Sequence, residues 1–461
     1  MRYSVLISGE AGQGPNHLTK ILAKALIEKG FFVFYSRTYE SRIRGGNNFN
    51  VITFSDESVS SNDSKVDVIV ALDEKTEKIH KGTLKSGGHF IKTNSSDEKI
   101  AEKVLELLKL EKKVGKTKGF SFLDGSMGLA QGAIDSGLDL YYAYPMTPAT
   151  PVLFELSGKQ DENNFFVFQL ENEIAVANAG VGSAITGAKV MIGTSGGGFD
   201  LMTEALSLTG MLEVPLVFYL AMRPGPGTGV PTYTSQGDLR MALHSGHGEF
   251  QRLVLAPGDP VECGEIASQA FYFSQKFRAP VIIISDKHLA ESSYPMQGKA
   301  KIVKSPKVMA LIKYNSYEAT KDGFATDDPK IINENFERRL KKAKEIAKEA
   351  SKFEMFKSYG KKSSKNVVLS WGSTKGAILD AINGLDVQFI QILYLDPFPD
   401  LSKQLQGSNL ILVENDSTGM LADLLREKTG IKIEEKNKIL RYDARPFLAD
   451  ELNAEIKKRL K

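Results

Sequence analysis

Three short apolar runs, "KVMIGTS" (189–195), "VPLVFYLA" (214–221) and "APVIIISD" (279–286), limit the possible folds of this chain more than any other feature. Each is shorter than a typical buried helix and rich in β-branched or long aliphatic residues. Each therefore reads as a strand covered on both faces. Before and between them lie stretches with helical spacing, at 126–136, 171–188 and 199–211. Strands alternating with helices imply a parallel sheet with helices on both faces. Ligands of such sheets sit beyond the C-terminal ends of the strands.

The same rhythm recurs on either side. "YSVLISG" reads as a strand, and "PNHLTKILAKALIEKG" as an amphipathic helix with Pro15 near its first turn and Gly30 at its end. "FFVFYS" and "VDVIVALD" follow as strands, so the head looks like a βαβ-type module. "LKLEKKVGKTKG" (108–119) is a Lys/Gly-rich linker, and 305–363 is rich in Lys and Glu, with a long exposed helix in "ENFERRLKKAKEIAKEASKFEMF". From "NVVLSWGSTKGAILDAI" onward the α/β rhythm returns. The expected fold is an α/β chain of three domains, 1–112, 118–304 and 364–461, with 305–363 as a helical connector. A length of 461 residues suits that count at ~150 residues per domain.

Charge and cysteine content exclude several functions. A net charge of +3, from 59 basic and 56 acidic residues, is too small for a nucleic-acid binder. One cysteine, Cys263, excludes an internal disulfide, a Cys-based zinc site and an iron–sulfur cluster held by this chain alone. The N-terminus runs straight from a strand into a glycine turn without an apolar signal core, and no run of 18 apolar residues follows. A cytoplasmic protein without membrane contact is expected.

Several segments carry candidate chemistry. In "DLYYAYPMTPATP" (139–151), two prolines stiffen the backbone around a single hydroxyl, Thr147. In "SGEAGQG", Gly9, Gly12 and Gly14 lie between a strand and a helix, where backbone N–H groups either close a tight turn or approach a phosphate. The spacing is not the dinucleotide G-x-G-x-x-G, and Glu10 adds a negative charge, which weighs against a nicotinamide-dependent dehydrogenase. Nearby, Arg42 and Arg44 precede Gly45-Gly46 and are candidates for binding an anion or a partner carboxylate.

In "QLENEIAVANAGVGSAITGAK", Glu171 and Glu173 open a helix of Ala, Gly, Val and Ile. Both acids suit a helix N-terminus, but a carboxyl buried in that apolar setting needs either a partner or a shared proton. In "GTSGGGFDLMTEAL", Ser195 and the glycines from Gly196 form a backbone-rich turn after a strand. Arg223, at the end of another strand, enters the Pro/Gly loop "RPGPGTGVPTYTSQGDL". It suits either a surface ion pair or two-pronged recognition of a substrate carboxylate. His244 and His247 lack a third clustered ligand, so local hydrogen bonding is expected and no metal site.

The order of these motifs resembles the α subunit of 2-oxoacid:ferredoxin oxidoreductases. The matching run is "YPMTPAT … ENEIAVANAGVGSAITGAK … GTSGGGFDLMTEAL … MRPGPGTGVPTYTSQGDL … HGEFQRLVLAPGDPVE". The head, "ISGEAGQG … YSRTYESRIRGGNNFNVITFSD", is similar to the family's γ subunit, and the tail from "VVLSWGS" to "RYDARPF" to its transketolase C-terminal-like domain. The resemblance implies a fused γ–α chain with a Rossmann-like γ domain and a domain that binds the pyrimidine half of thiamine diphosphate. It also implies CoA-dependent oxidative decarboxylation of a 2-oxoacid, such as 2-oxoglutarate or pyruvate, with electrons passing to ferredoxin.

Carried over by motif, Thr147 contacts substrate beside the thiazolium ring, Arg223 holds the substrate carboxylate, and Glu173 bonds N1′ of the aminopyrimidine. Glu173 is preferred to Glu171 because its distance to Gly182 and Gly187 matches the related pyruvate enzymes better. Tyr144, Pro145, Ser195 and Gly196 complete the implied cofactor pocket, while Gly9, Gly12, Gly14, Arg42 and Arg44 are the implied CoA contacts. The chain lacks the Gly-Asp-Gly…Asn motif that anchors Mg2+ and the diphosphate, and it lacks cluster cysteines. In the family both belong to a β subunit with a [4Fe–4S] cluster, so a dimer of heterodimers is implied. Two pairs depart from the family pattern: Ser126-Met127, where a polar pair is usual, and Ala149-Thr150, where serine is. They are the support for the rival reading, a non-catalytic partner of a β-like subunit.

Overall fold

The first part of the chain forms β1 (Arg2–Glu10), β2 (Phe32–Thr38), β3 (Asn47–Ser55), β4 (Val66–Ala71) and β5 (Leu84–Lys92). The middle adds β6 (Phe120–Asp124), β7 (Leu140–Ala143), β8 (Phe166–Gln169), β9 (Val190–Thr194), β10 (Leu216–Met222), β11 (Leu253–Leu255), β12 (Val281–Asp286) and β13 (Ser293–Gln297). The last part holds β14 (Phe356–Gly360), β15 (Asn366–Trp371), β16 (Gln388–Ile392), β17 (Tyr394–Asp396), β18 (Asn409–Glu414) and β19 (Lys438–Leu440). These come from a computed structural model describing residues 1–10, 12–40, 46–93, 95–111, 117–309 and 313–460. Among the described residues the strands form three sheets, ordered β5-β4-β1-β3-β2-β13-β6, β17-β11-β12-β10-β9-β7-β8 and β14-β16-β15-β18-β19.

The head departs from a plain βαβ unit. β1 and β4 are parallel, but β3 runs antiparallel between β1 and β2, with Val5 opposite Ile52. The polar start of this strand, "NNFN", hides it from a hydrophobicity reading. The helix Pro15–Glu28 starts and stops where its punctuation indicates, with Gly14 at φ 80° before it and Gly30 at φ 88° after it.

In the second sheet the strands from β11 to β8 are parallel, and β17 joins the edge antiparallel from the C-terminal part. The helices Gly125–Asp135, Thr150–Ser157 and Pro260–Phe277 pack on one face, where head residues Phe32 and Phe34 join their core. Glu173–Ile185 and Gly196–Leu212 pack on the other, in a core shared with Trp371, Leu395 and Leu421. Gly125–Asp135 and Pro260–Phe277 meet backbone to backbone: a Cβ on Gly132 would lie 2.4 Å from the Gly264 Cα. Only glycine permits that approach.

Ionic contacts tie the segments together. Arg2 pairs with Asp63 inside the head at 2.8 Å and reaches Asp380 of the C-terminal part at 2.9 Å. Buried Glu262 accepts from Lys375 at 2.6 Å and from Gln391 at 2.6 Å, with Lys357 at 3.0 Å. The connector helix, Pro329–Ala350, is largely exposed, as its Lys/Glu content indicates, and is anchored along one face. Arg339, Ile346 and Ala350 lie on one face and are buried, Tyr272 donates to Glu349 at 2.8 Å, and Arg338 and Lys342 both meet Glu213.

Candidate active site

Four neighbouring strands, β10, β9, β7 and β8, release their chains at one edge of the second sheet. β10 is followed at once by Arg223, and β9 by Ser195 and the helix Gly196–Leu212. β7 leads into Tyr144–Ala149, and β8 into the helix Glu173–Ile185. Residues separated by up to 76 positions thereby meet: Arg223 donates from Nη1 to the Thr147 carbonyl oxygen over 2.9 Å. The Thr147–Pro148 peptide is cis.

Glu173 begins its helix, and the preceding Asn172 caps it by accepting from the Ala175 N–H at 2.9 Å. Glu173 is 4% exposed, and its Oε1 is buried without a hydrogen-bond partner. Glu171 is exposed. Ser195 is fully buried, and its Oγ is likewise without a partner.

The glycine triplet follows from what surrounds it. A Cβ on Gly198 would lie 2.1 Å from Thr194 Oγ1 and 2.8 Å from Glu173 Oε1. One on Gly196 would lie 2.6 Å from Asp238 Oδ2, whereas one on Gly197 would meet nothing closer than the Gly227 carbonyl at 3.8 Å. Two carboxyl groups therefore flank the start of this helix, and both interact electrostatically with Arg223. Burial lowers the pKa of the Arg223 guanidinium, against the opposing pulls of Asp238 and Glu173. Burial pushes the Asp238 carboxyl up to about 6, with Asp200 adding to the effect and Arg223 opposing it.

The three tyrosines of the Thr147 segment divide. Tyr141 lies under the site, its hydroxyl filling the space that a Cβ on Gly193 would need, only 2.0 Å away. Tyr142 pairs with Ser183 Oγ at 2.8 Å, and Tyr144 and Pro145 are exposed at the rim. Ser126 is buried and donates to the Ala290 carbonyl at 2.9 Å, so that departure from the family pattern has a packing role. Ala149 is buried at 3% exposure in front of the helix Thr150–Ser157.

The head turn does not join this cluster. Gly12 and Gly14, at φ 94° and 80°, have open space where a Cβ would project, and Glu10 is paired with Lys75. Gly9 abuts Gln13, 2.8 Å from the position of a Cβ. Arg42 and Arg44 lie outside the described residues. The head touches the loop after Arg223 through Tyr39, whose carbonyl accepts from Thr232 Oγ1 at 2.6 Å. His247 bonds to Ser207, 40 positions away in the chain rather than local to it, at 3.1 Å, and among the described residues no group of three His, Cys, Asp or Glu could hold a metal ion. No described helix is long and apolar enough to cross a membrane.

Asp238, Thr194 and Gly227 belong to the site but escaped the sequence reading. Asp238 had a signal: an acid just ahead of the short helix Leu239–His244, in the same loop as Arg223. Nothing local shows which way its carboxyl turns.

Comparison with known proteins gives a consistent result. The family described as pyruvate flavodoxin/ferredoxin oxidoreductase, thiamine diphosphate-binding, matches residues 131–358. The pyruvate ferredoxin/flavodoxin oxidoreductase family matches residues 4–211. The 2-oxoacid:ferredoxin oxidoreductase subunit alpha of a Sulfolobus species is 27% identical over 619 residues, covering 100% of this chain and 97% of the relative. The subunit of the same name from Saccharolobus solfataricus is 35% identical over 386 residues, covering 73% of this chain and 61% of its own. The 2-oxoglutarate:ferredoxin oxidoreductase from Magnetococcus marinus, solved with 2-oxoglutarate, coenzyme A and succinyl-CoA bound, shares the fold. Its TM-score is 0.87 at 22% identity, over 100% of both chains.

Proposed function

This chain belongs to the 2-oxoacid:ferredoxin oxidoreductases, and from that premise we propose that it supplies the aminopyrimidine half of a thiamine diphosphate site together with the arginine that holds the 2-oxoacid carboxylate. One observation carries the reading: the Glu173 carboxyl is buried with an unpartnered Oε1 at the sheet edge where Thr147 and Arg223 meet. A buried polar atom without a partner is costly, and a ring nitrogen able to share a proton would satisfy it. Ser195 Oγ is a second unpartnered group, and the backbone at Gly197 leaves room for a flat ring to approach. The residues present fit the cofactor.

When bound, thiamine diphosphate supplies a carbon nucleophile for the keto group and an electron sink for CO2 loss. This chain's part is to place and polarise. Glu173 shares a proton with N1′ as the acid–base group of this half-site. Arg223 keeps donors beyond the one bonded to Thr147, and these orient the substrate carboxylate. Thr147, its backbone held by that same arginine, presents its hydroxyl to the reacting oxygen.

The rest of the site is assigned to a β subunit carrying the Gly-Asp-Gly motif, Mg2+ and the [4Fe–4S] cluster, in a dimer of heterodimers that reduces ferredoxin. Apolar side chains along the site segments support such a cover: Tyr144 is 38% exposed, Phe168 43%, Ile174 52% and Leu201 50%. The head, with its open turn at Gly12 and Gly14, is the proposed CoA-handling part. The first substrates to test are 2-oxoglutarate and pyruvate.

The test is anaerobic, CoA-dependent reduction of a viologen dye by each 2-oxoacid, with this chain alone and with its β partner. Turnover by the complex and none by the chain alone is expected. Strong turnover by the chain alone would sink the proposal, and so would an inert complex loaded with cofactor and cluster.

A further inference from the structure

Every second residue of the stretch 232–236 is buried, and each of these three side chains bonds to a different part of the protein. Thr232 donates from Oγ1 to the Tyr39 carbonyl of the head at 2.6 Å. Thr234 donates to Asp286, the last residue of β12, over 3.0 Å. Gln236, wholly buried, reaches the C-terminal part. Its backbone N–H donates to the Asn415 carbonyl at 2.7 Å, and its Oε1 accepts from the Asn415 N–H at 2.8 Å. Its Nε2 donates to the Trp371 carbonyl at 2.8 Å. The carboxamide thus acts as a peptide group between the ends of β15 and β18. A Cβ on Gly372 would lie 3.0 Å from that Nε2, so the glycine after Trp371 permits the approach. In the same stretch, the Tyr233 ring lies under Arg445, whose Cζ is 3.9 Å from its centre. Asn415 holds that arginine's segment too, donating from Nδ2 to the carbonyls of Arg441 at 2.8 Å and Arg445 at 3.1 Å.

A continuous line of bonds joins this stretch to Arg223. The Tyr233 N–H donates to the Val230 carbonyl at 3.1 Å, and the Val230 N–H to the Pro224 carbonyl at 3.0 Å. Pro224 follows Arg223 directly, and a Cβ on Gly229 would lie 1.8 Å from the Pro224 carbonyl oxygen, so the loop 224–230 is closed tightly at its neck. We propose that Gln236 is a positioning residue for 2-oxoacid binding, through which the C-terminal part holds the neck of this loop and keeps the Arg223 guanidinium aligned with the substrate carboxylate. The inference rests on the role proposed for Arg223. A guanidinium grips a carboxylate by parallel bonds that weaken when its plane tilts. Thr147 fixes one donor of that plane, and the loop neck fixes the backbone it springs from. Three segments of the C-terminal part, "VVLSWGS", "NLILVEND" and "RYDARPF", thereby share one use, since each supplies a partner to the stretch 232–236. The effect falls on the substrate rather than on thiamine diphosphate, because the bonded line ends at Arg223.

The variant is Gln236→Met in the complete complex with its β partner, a change that keeps side-chain length and removes both carboxamide bonds. KM for the 2-oxoacid is expected to rise about tenfold, with kcat within about twofold of wild type and thiamine diphosphate affinity unchanged. Hydrogen exchange at the Val230 and Tyr233 amides should quicken about tenfold in the same variant. A purely structural defect lowers kcat through the active fraction and leaves KM alone, so a lower kcat at constant KM overturns the proposal. Quicker exchange with unchanged KM overturns it as well, and so does unchanged exchange. Arg445→Ala, at an exposed side chain, takes its place if the first variant does not assemble. There KM is expected to rise about threefold with quicker exchange at the same amides, and no change in either overturns the proposal. If the wild-type complex oxidises no 2-oxoacid, the reading of the reaction fails. Calorimetry with oxamate, a carboxylate mimic of the substrate, then replaces KM, and equal affinity in wild type and variant overturns the role of Gln236.

Discussion

Arg223 Nη1 donates to the Thr147 carbonyl oxygen over 2.9 Å, bridging the ends of β10 and β7 across the intervening β9. The bond fixes the arginine plane and the stiff proline segment with one contact, and it leaves the other guanidinium donors available. Replacing Arg223 by alanine removes both functions. A loss of about 2–5 kcal/mol of transition-state stabilisation in kcat/KM is expected, by analogy with other charged hydrogen-bond partners. An unchanged kcat/KM in the assembled complex would refute the assignment.

Glu173→Gln keeps the shape of the side chain but removes its capacity to share a proton. Activity should fall by about 10²–10⁴-fold, the usual range for a general acid–base group. Cofactor affinity should change little and thermal stability should hold, because a lone buried carboxyl is exchanged for a neutral amide. A variant with wild-type turnover would remove Glu173 from the mechanism.

The glycine triplet allows a paired comparison. Gly198→Ala places a methyl group 2.1 Å from Thr194 Oγ1 and 2.8 Å from Glu173 Oε1. It should displace the carboxyl, cost about 1–3 kcal/mol of stability and abolish turnover. Gly197→Ala meets only the Gly227 carbonyl at 3.8 Å, so stability should rise by up to about 1 kcal/mol, the helical preference of alanine over glycine. Weaker thiamine diphosphate binding in that stable variant would show that the ring approaches there. Equal stability losses in the two variants would contradict the packing described.

Acid should loosen the contact between the helix Pro260–Phe277 and the C-terminal part. Burial by itself raises the Glu262 carboxyl, but Lys375 and Lys357 outweigh it and hold it at about 2. With the folded pKa depressed, the stabilisation is complete above the ordinary carboxylate range and is lost as pH falls from about 4.5 toward about 2. Glu262→Gln should cost about 1–3 kcal/mol at neutral pH, since it removes the shared buried partner of Lys375 and Lys357, which keep Asp259 and Glu265 as weaker compensation. Thermal melts from pH 7 to pH 3 should show the wild-type advantage shrinking as pH drops. A constant difference across that range would rule out the assignment.

Much of this protein is legible in the chain itself. Strand and helix identity follow from the spacing of apolar residues among near neighbours, so "VPLVFYLA" and "APVIIISD" were recognisable without any structure. The Pro and Gly punctuation around residues 15, 30, 147 and 223 is equally local. What was missed involves distant partners. The antiparallel β3 is polar at its start, and its pairing with β1 joins residues from 37 (Glu10 with Asn47) to 53 (Arg2 with Ser55) positions apart. The connector helix is largely exposed as expected, but its anchors, Glu213 and Tyr272, lie elsewhere in the chain and leave no local mark in it.

The site divides in the same way. The sequence by itself determined which segments carry the chemistry, because glycine, proline and lone charged residues mark backbone that cannot be regular core. Only the tertiary structure decided that Arg223 meets Thr147, that Glu173 rather than Glu171 is buried, and that Asp238 turns from its own helix toward Gly196. Those outcomes depend on the order β10-β9-β7-β8. Strand order is set by the packing of whole helices on both sheet faces, a sum over many distant contacts that no local pattern encodes.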